Sequence, residues 1–220
     1  MTYKHVFLNG GDADFLPGKA VCVGRNYAEH AKELNNPIPS SPMLFIKPAS
    51  AFANMAENIA IPSGLGDCHH ELEVALLIGK TLSEAKPDEV MAGVLGYGLA
   101  LDLTLRDLQS ELKKKGHPWE RAKAFDGACP LSPFVSATAI PDWCQLQLRL
   151  TRNGQLQQEG QAKDMIFGIE ALLSNISHSF TLNPGDIVLT GTPAGVGPLR
   201  SGDQLKAELL GHICVESRVI

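Results

Sequence analysis

The chain has 220 residues, a net charge of −5 at pH 7 and no long basic or acidic run. That balance excludes the basic patch of a nucleic-acid surface but leaves anionic small molecules open, because the charge at one site can oppose the total. The apolar fraction of 44% and the charged fraction of 20% are those of an ordinary globular protein. A chain of this length buries roughly 70% of its unfolded surface and needs no staples.

The five cysteines, at 22, 68, 129, 144 and 214, contain no C-x-x-C pair and read as buried free thiols in a reducing, cytoplasmic setting. No signal-like apolar run follows Lys4, and no stretch approaches the ~20 apolar residues that span a bilayer, so no membrane partner is expected. Fourteen prolines and 21 glycines are spread through many short segments, which favours a β-rich domain over a helix bundle. With no repeat, low-complexity tract or linker, one domain over residues 1–220 is expected.

In chain order, Lys19–Gly24 reads as a short buried strand, and Asn26–Leu34 as a short helix closed by Asn35-Asn36-Pro37. Met43–Lys47 is another strand, and Glu71–Ile78 a strong one ended by Gly79. Pro87–Ala92 starts like a helix, with an early proline and acids in its first turn. Gly96–Leu103 is a second strong strand. Thr104 then opens a helix with Leu105, Leu108 and Leu112 on its apolar side, and Thr104 with Asp107 has the spacing of a capping box. Leu146–Thr151 and Leu156–Glu159 flank an Asn153-Gly154 hairpin signal. Asp164–Ser179 is the best helix candidate. Ile187–Thr190 and Leu205–Leu209 are late strands, each led by a Gly-Asp turn.

Three acids stand out. Side chains alternate along a strand, so Glu71 and Glu73 project from one face of an otherwise apolar segment. Asp102 interrupts a similar strand, Leu99-Ala100-Leu101-Asp102-Leu103. Desolvating unpaired carboxylates costs several kcal/mol, and like charges nearby make it worse. A divalent cation resolves the conflict, and three oxygen ligands with waters suit Mg²⁺ or Mn²⁺. Two solvent-facing acids and a third paired with Arg or Lys would give the same spacing. A zinc site at His69 and His70 is the other alternative. The H-E-x-x-H helix is absent, however, and adjacent strand histidines point to opposite faces, so at most one could join Glu71.

Several motifs in series carry a family resemblance. Val23-Gly24-Arg25-Asn26-Tyr27-Ala28-Glu29-His30 and Phe45-Ile46-Lys47-Pro48 come first. His70-Glu71-Leu72-Glu73, Gly96-Tyr97-Gly98 and Asp102-Leu103-Thr104 follow, then Lys123-Ala124-Phe125-Asp126 and the run from Leu189 to Gly197. Together they resemble the fumarylacetoacetate hydrolase family from about residue 18 to the end, nearest its short members, the acylpyruvate hydrolase and oxaloacetate decarboxylase group.

The resemblance implies an α+β, β-rich fold, a mixed β-roll with flanking helices. It also implies a homodimer and a Mg²⁺ or Mn²⁺ ion held by Glu71, Glu73 and Asp102. Larger members have a further Asp ligand before the histidine motif. Here that stretch is Ala20-Val21-Cys22-Val23-Gly24, which implies a water in its place.

His30 and Glu33, three apart on a helix, share a face, and a carboxylate beside an imidazole raises its basicity. By spacing alone they fit a solvated surface pair. By resemblance they are a general base on a lid helix. Lys123 is implied as a site lysine that stabilises an oxyanion or the C4 substituent. Arg106 and Gln109 share a helix face and could point to substrate or to solvent, and Arg25 lies beside the lid. Thr190-Gly191-Thr192-Pro193 opens a glycine-rich loop that fits neither a Walker A nor a dinucleotide fingerprint. By resemblance Thr190 and Thr192 help bind a substrate carboxylate.

The implied reaction is metal-dependent hydrolysis of the C–C bond of acylpyruvates such as fumarylpyruvate or acetylpyruvate, with a small 2-oxo acid as the partner molecule. Oxaloacetate decarboxylation, oxaloacetate keto–enol tautomerisation and 2-oxo acid isomerisation are alternatives on the same site. A metal-stabilised binding module is the non-enzymatic alternative.

Overall fold

A computed structural model describes residues 3–33 and 37–220, so the expected helix end at Leu34 and the Asn35-Asn36 stop lie outside the described residues. The architecture is α+β and strand-rich. The central mixed sheet runs β2 (Met43–Lys47), β1 (Ala20–Gly24), β12 (Ile187–Leu189), β5 (Leu72–Ile78), β6 (Val94–Leu101), β8 (Cys129–Leu131) and β3 (Phe52–Asn54). A short β9 (Val135–Ser136) also pairs with β6. The β1–β12 and β3–β8 pairings are parallel and the others antiparallel.

Strand β5 is buried along its whole length. Leu72, Val74, Leu76 and Ile78 enter one hydrophobic cluster, while Ala75 and Leu77 enter a second on the opposite face. Covering both faces is what makes this strand read as a continuous apolar run rather than an alternating one.

A four-stranded antiparallel sheet, β11 (Gln155–Gln161), β10 (Gln147–Arg152), β14 (Gln204–Leu209) and β15 (Ile213–Arg218), packs its apolar side into the first cluster. Asn153 and Gly154 join β10 to β11 with φ of 52° and 77°. Two successive left-handed residues are what a tight primed hairpin turn needs, as Asn-Gly predicts. A small third sheet of β13 (Gly197–Pro198), β4 (Cys68–His70) and β7 (Thr104–Leu105) closes one end. Helices α1 (Ala28–Glu33), α2 (Arg106–Lys115), α3 (Glu120–Lys123) and α4 (Ile169–Ser179) lie around the sheets. No helix among the described residues is long and apolar enough to cross a membrane.

Several boundaries differ from expectation. Thr104 caps no helix: it sits in β7, and its hydroxyl donates to the Asp102 carbonyl at 3.1 Å. Asp107 instead accepts the Asp67 N–H at 2.9 Å, so α2 begins at Arg106 without a side-chain cap. Pro87–Ala92 yields only a 3₁₀ turn over Val90–Gly93. Of Asp164–Ser179, only Ile169–Ser179 is α-helical, because Gly168 is extended ahead of it. Glu71 lies in a one-residue break before β5, and Asp102 just beyond β6. Cys22, Cys68 and Cys129 are buried thiols, but Cys144 is half-buried and Cys214 exposed, the latter pointing outward from alternating β15.

Gly195 has φ of 97°, and a Cβ there would overlap the Gln157 carbonyl oxygen of β11. Gly154 also has positive φ, but a Cβ there meets nothing. G195A is therefore expected to cost more than about 2 kcal/mol, and G154A only about 1 kcal/mol of backbone strain. Thermal melts should show the first falling roughly 4–8 °C and the second about half that or less. Equal shifts would refute the close-approach argument.

Candidate metal and 2-oxo acid site

The two breaks that carry Glu71 and Asp102 are stitched together, because the Asp102 N–H donates to the Glu71 carbonyl at 2.9 Å. Glu73 stands on β5, on the same side as Ala75 and Leu77. Carboxylate oxygens of Glu71, Glu73 and Asp102 lie within 4.8 Å of one another, and the residues are 5%, 2% and 1% exposed. Three acids at this spacing in a desolvated place repel strongly.

The surroundings answer two of the three charges. Lys123 Nζ bridges Glu71 Oε2 at 2.9 Å and Asp102 Oδ2 at 2.6 Å, and Arg106 donates to Glu71 Oε1. Burial pushes the Glu71 carboxyl up, but Lys123 and then Arg106 outweigh it and hold the group well below the usual range. Burial likewise pushes the Lys123 ammonium down, but Asp102 and Glu71 outweigh it and make the proton harder to lose. Among the described residues, Glu73 has only the Gly191 N–H, at 2.6 Å. Burial first, then Asp102 and Glu71, push its carboxyl well above the ordinary value.

Lys47 Nζ lies 2.8 Å from Asp102 Oδ1, yet its hydrogen bonds go to the carbonyls of Ala128 at 3.0 Å, Leu103 at 3.4 Å and Lys123. Asp102 Oδ1 is left buried without a hydrogen bond. An orphaned carboxylate oxygen, an uncompensated Glu73 and an all-oxygen donor set fit a hard divalent cation such as Mg²⁺ or Mn²⁺. His69 and His70 do not belong to this cluster. His70 Nδ1 is 2.9 Å from Gln158 Oε1, with Nε2 unpartnered, so the three-carboxylate set stands without a histidine.

A cavity opens over the acids. Arg25, His30, Arg106, Gln109, Lys123 and Thr192 line it, as the sequence suggests, while Glu33 and Thr190 do not. Glu33 acts behind His30: its Oε2 is 3.1 Å from His30 Nδ1, and its Oε1 accepts the Gly195 N–H at 3.1 Å. Helix α1 is thus tied to the glycine-rich loop. At its base, buried Asn26 donates to the Phe167 carbonyl at 3.0 Å and the Thr190 carbonyl at 2.8 Å. The Thr190 hydroxyl donates to the Val74 carbonyl at 3.0 Å and the Thr192 hydroxyl to the Leu72 carbonyl at 2.8 Å. Neither keeps a hydroxyl hydrogen for an anion, so these threonines seat the loop on β5.

Sequence reasoning misses three residues. Lys47 was visible as a lysine ending an apolar strand. Lys113, also in the cavity wall, continues the helix face of Arg106 and Gln109. Gln158 gave no signal within its polar strand. It is 1% exposed and saturates both ends of its amide. Its Oε1 faces His70 Nδ1 and accepts the Leu72 N–H at 3.0 Å, while Nε2 donates to Thr192 Oγ1 at 2.7 Å and the Pro193 carbonyl at 3.0 Å.

A buried carboxylate triad beneath a cation-rich cavity is an arrangement that fits a divalent cation and a small anion. The family model for the fumarylacetoacetate hydrolase C-terminal region matches residues 19–220. The chain is 49% identical over 211 residues to oxaloacetate tautomerase YcgM of Escherichia coli K12, covering 96% of both. It is 45% identical over 199 residues to human mitochondrial oxaloacetate tautomerase FAHD1, covering 90% of both. It superposes on a fumarylpyruvate hydrolase from Pseudomonas aeruginosa, solved with Mn²⁺ and pyruvate, with TM-score 0.93 and 32% identity, covering 100% of this chain and 96% of that one. The chain belongs to the fumarylacetoacetate hydrolase family.

Glu73 supplies a signed prediction. A carboxyl whose folded pKa is raised favours the folded state below its unfolded value and loses that contribution as pH rises towards the folded one. Metal-free wild type should therefore lose stability as pH rises above the ordinary carboxylate range, and at pH 8 E73Q, which cannot ionise, should melt higher than wild type. The same variant should lose the stabilisation that Mg²⁺ or Mn²⁺ confers. A lower metal-free melting temperature for E73Q at pH 8 would contradict the electrostatic account.

Proposed function

We propose that this chain interconverts the keto and enol forms of oxaloacetate with a divalent cation. The observation that carries the reading is His30, backed by Glu33, on the same cavity as the buried triad and Lys123. The names of the relatives from Escherichia coli and human support it. When bound by Glu71, Glu73 and Asp102, the cation supplies Lewis-acid stabilisation of the charge that develops on the 2-oxo oxygen.

The chain's own residues supply the proton chemistry. Enolisation removes a proton from C3 and places one on the 2-oxo oxygen; His30 is the base that takes the first, and the imidazolium gives it up to the enolate oxygen directly or through water. Glu33 at His30 Nδ1 stabilises the imidazolium that results. Lys123 spends two hydrogens on Glu71 and Asp102 and keeps a third for a substrate oxygen. Its firmly held proton makes it a hydrogen-bond donor rather than the acid.

A second reading is hydrolysis of acylpyruvates, favoured by the likeness to the Pseudomonas aeruginosa fumarylpyruvate hydrolase. There His30 would activate a water towards the C4 carbonyl, and the same developing charge would be stabilised.

His30→Ala should slow oxaloacetate tautomerisation, followed by the absorbance of the enol, by about 10²–10⁴-fold. Exhaustive chelation should abolish wild-type turnover, and Mg²⁺ or Mn²⁺ should restore it. Undiminished activity in His30→Ala would remove the base assignment, and full activity after chelation would remove the metal. Acetylpyruvate cleavage faster than oxaloacetate turnover would make the hydrolase reading the better one.

A further inference from the structure

We propose that the outer end of the cavity is a second carboxylate subsite, where Lys113 and Arg25 take the far carboxylate of a dicarboxylic 2-oxo acid. The inference rests on the reading of the inner end as a 2-oxo acid site. Helix α2 presents Arg106, Gln109 and Lys113 to the cavity, the i, i+3, i+7 stripe of a single face. Arg106 is occupied by Glu71 and Gln109. Lys113 sits about 10 Å further along the helix axis, at the exposed end.

Lys113 makes no ion pair with an acid of the described residues. Its ammonium instead lies 4.9 Å from the ring centroid of Trp119, which lines the same cavity. Arg25 also lacks a carboxylate partner there, and its backbone is held at φ of 62°, a strained conformation for a non-glycine residue. Desolvation, then the positive fields of Arg106, Arg25 and Lys123, pull the Lys113 pKa down to about 8. An anion between these cations relieves that repulsion. The cavity wall carries three acids and four basic side chains. A divalent cation adds two more charges, a surplus that one carboxylate does not neutralise.

The test uses unreactive ligands. L-malate and L-lactate are both 2-hydroxy acids, differ by the far carboxylate, and cannot enolise. Wild type, K113M and K113R, loaded with Mg²⁺ or Mn²⁺, are titrated with each by calorimetry and tryptophan fluorescence, and melting curves confirm folding. Wild type should bind malate about 5- to 50-fold more tightly than lactate, the worth of one charge-assisted hydrogen bond or two. K113M should lose most of that ratio and K113R should keep most of it. Equal affinities in wild type, an unchanged ratio in K113M, or parallel losses of both ligands would overturn the subsite. Absence of oxaloacetate turnover in wild type would count against the proposed reaction alone, since neither ligand here reacts.

Discussion

The constraint on which the site depends is the burial of three carboxylates within 4.8 Å of one another. Isolated ions pay several kcal/mol each to leave water, so such a cluster persists only with compensating charge. The chain supplies part of it. Lys123 and Arg106 answer Glu71, and Lys123 and Lys47 flank Asp102. Glu73 is left with a single backbone N–H. The uncompensated charge is thus concentrated at Glu73, a place that a divalent cation would fit.

The backbone follows from the same requirement. Glu71 occupies the one residue where the chain passes from the small sheet into β5, and Asp102 the corresponding gap between β6 and β7. A regular strand would send alternate side chains to fixed faces. A break frees an acid from that alternation and lets it approach its neighbour. Gln158 secures the junction from the other sheet by holding the Leu72 N–H and the Thr192 hydroxyl with one amide. Its four polar contacts are all satisfied, and a buried network of this kind fixes geometry only when complete.

How much of this was legible depends on the range of each signal. Glu71, Glu73 and Asp102 were visible because acids in apolar runs conflict with local physics, and Asn153-Gly154 because a primed turn needs left-handed residues. The break at Glu71 was not visible, since β4 and β7 are too short to show a period. The parallel pairing of β1 with β12 joins residues 167 apart, as in Ala20 with Ile187, and no local pattern encodes it. Gln158 sits in a strand of glutamines, and its partners lie far away in sequence. Lys113 was hidden differently. It opens a run of three lysines, which reads as ordinary basic residues at a helix C-terminus.

On the proposed reading, the two ends of the cavity do different work. The inner end, with the triad, Lys123 and the His30–Glu33 pair, would stabilise charge on a 2-oxo oxygen and move one proton. Those capacities serve enolisation directly, and they serve C–C cleavage once a water is placed at C4. Nothing at the inner end distinguishes the two, because the developing charge is the same. Discrimination must come from what lies beyond C3, where Lys113, Arg25 and Trp119 border the cavity. On that reading, a fixed far carboxylate would hold the C3 hydrogens in one orientation to His30. On this proposal, substrate choice in this chain is therefore set by side chains that take no part in the proton transfer.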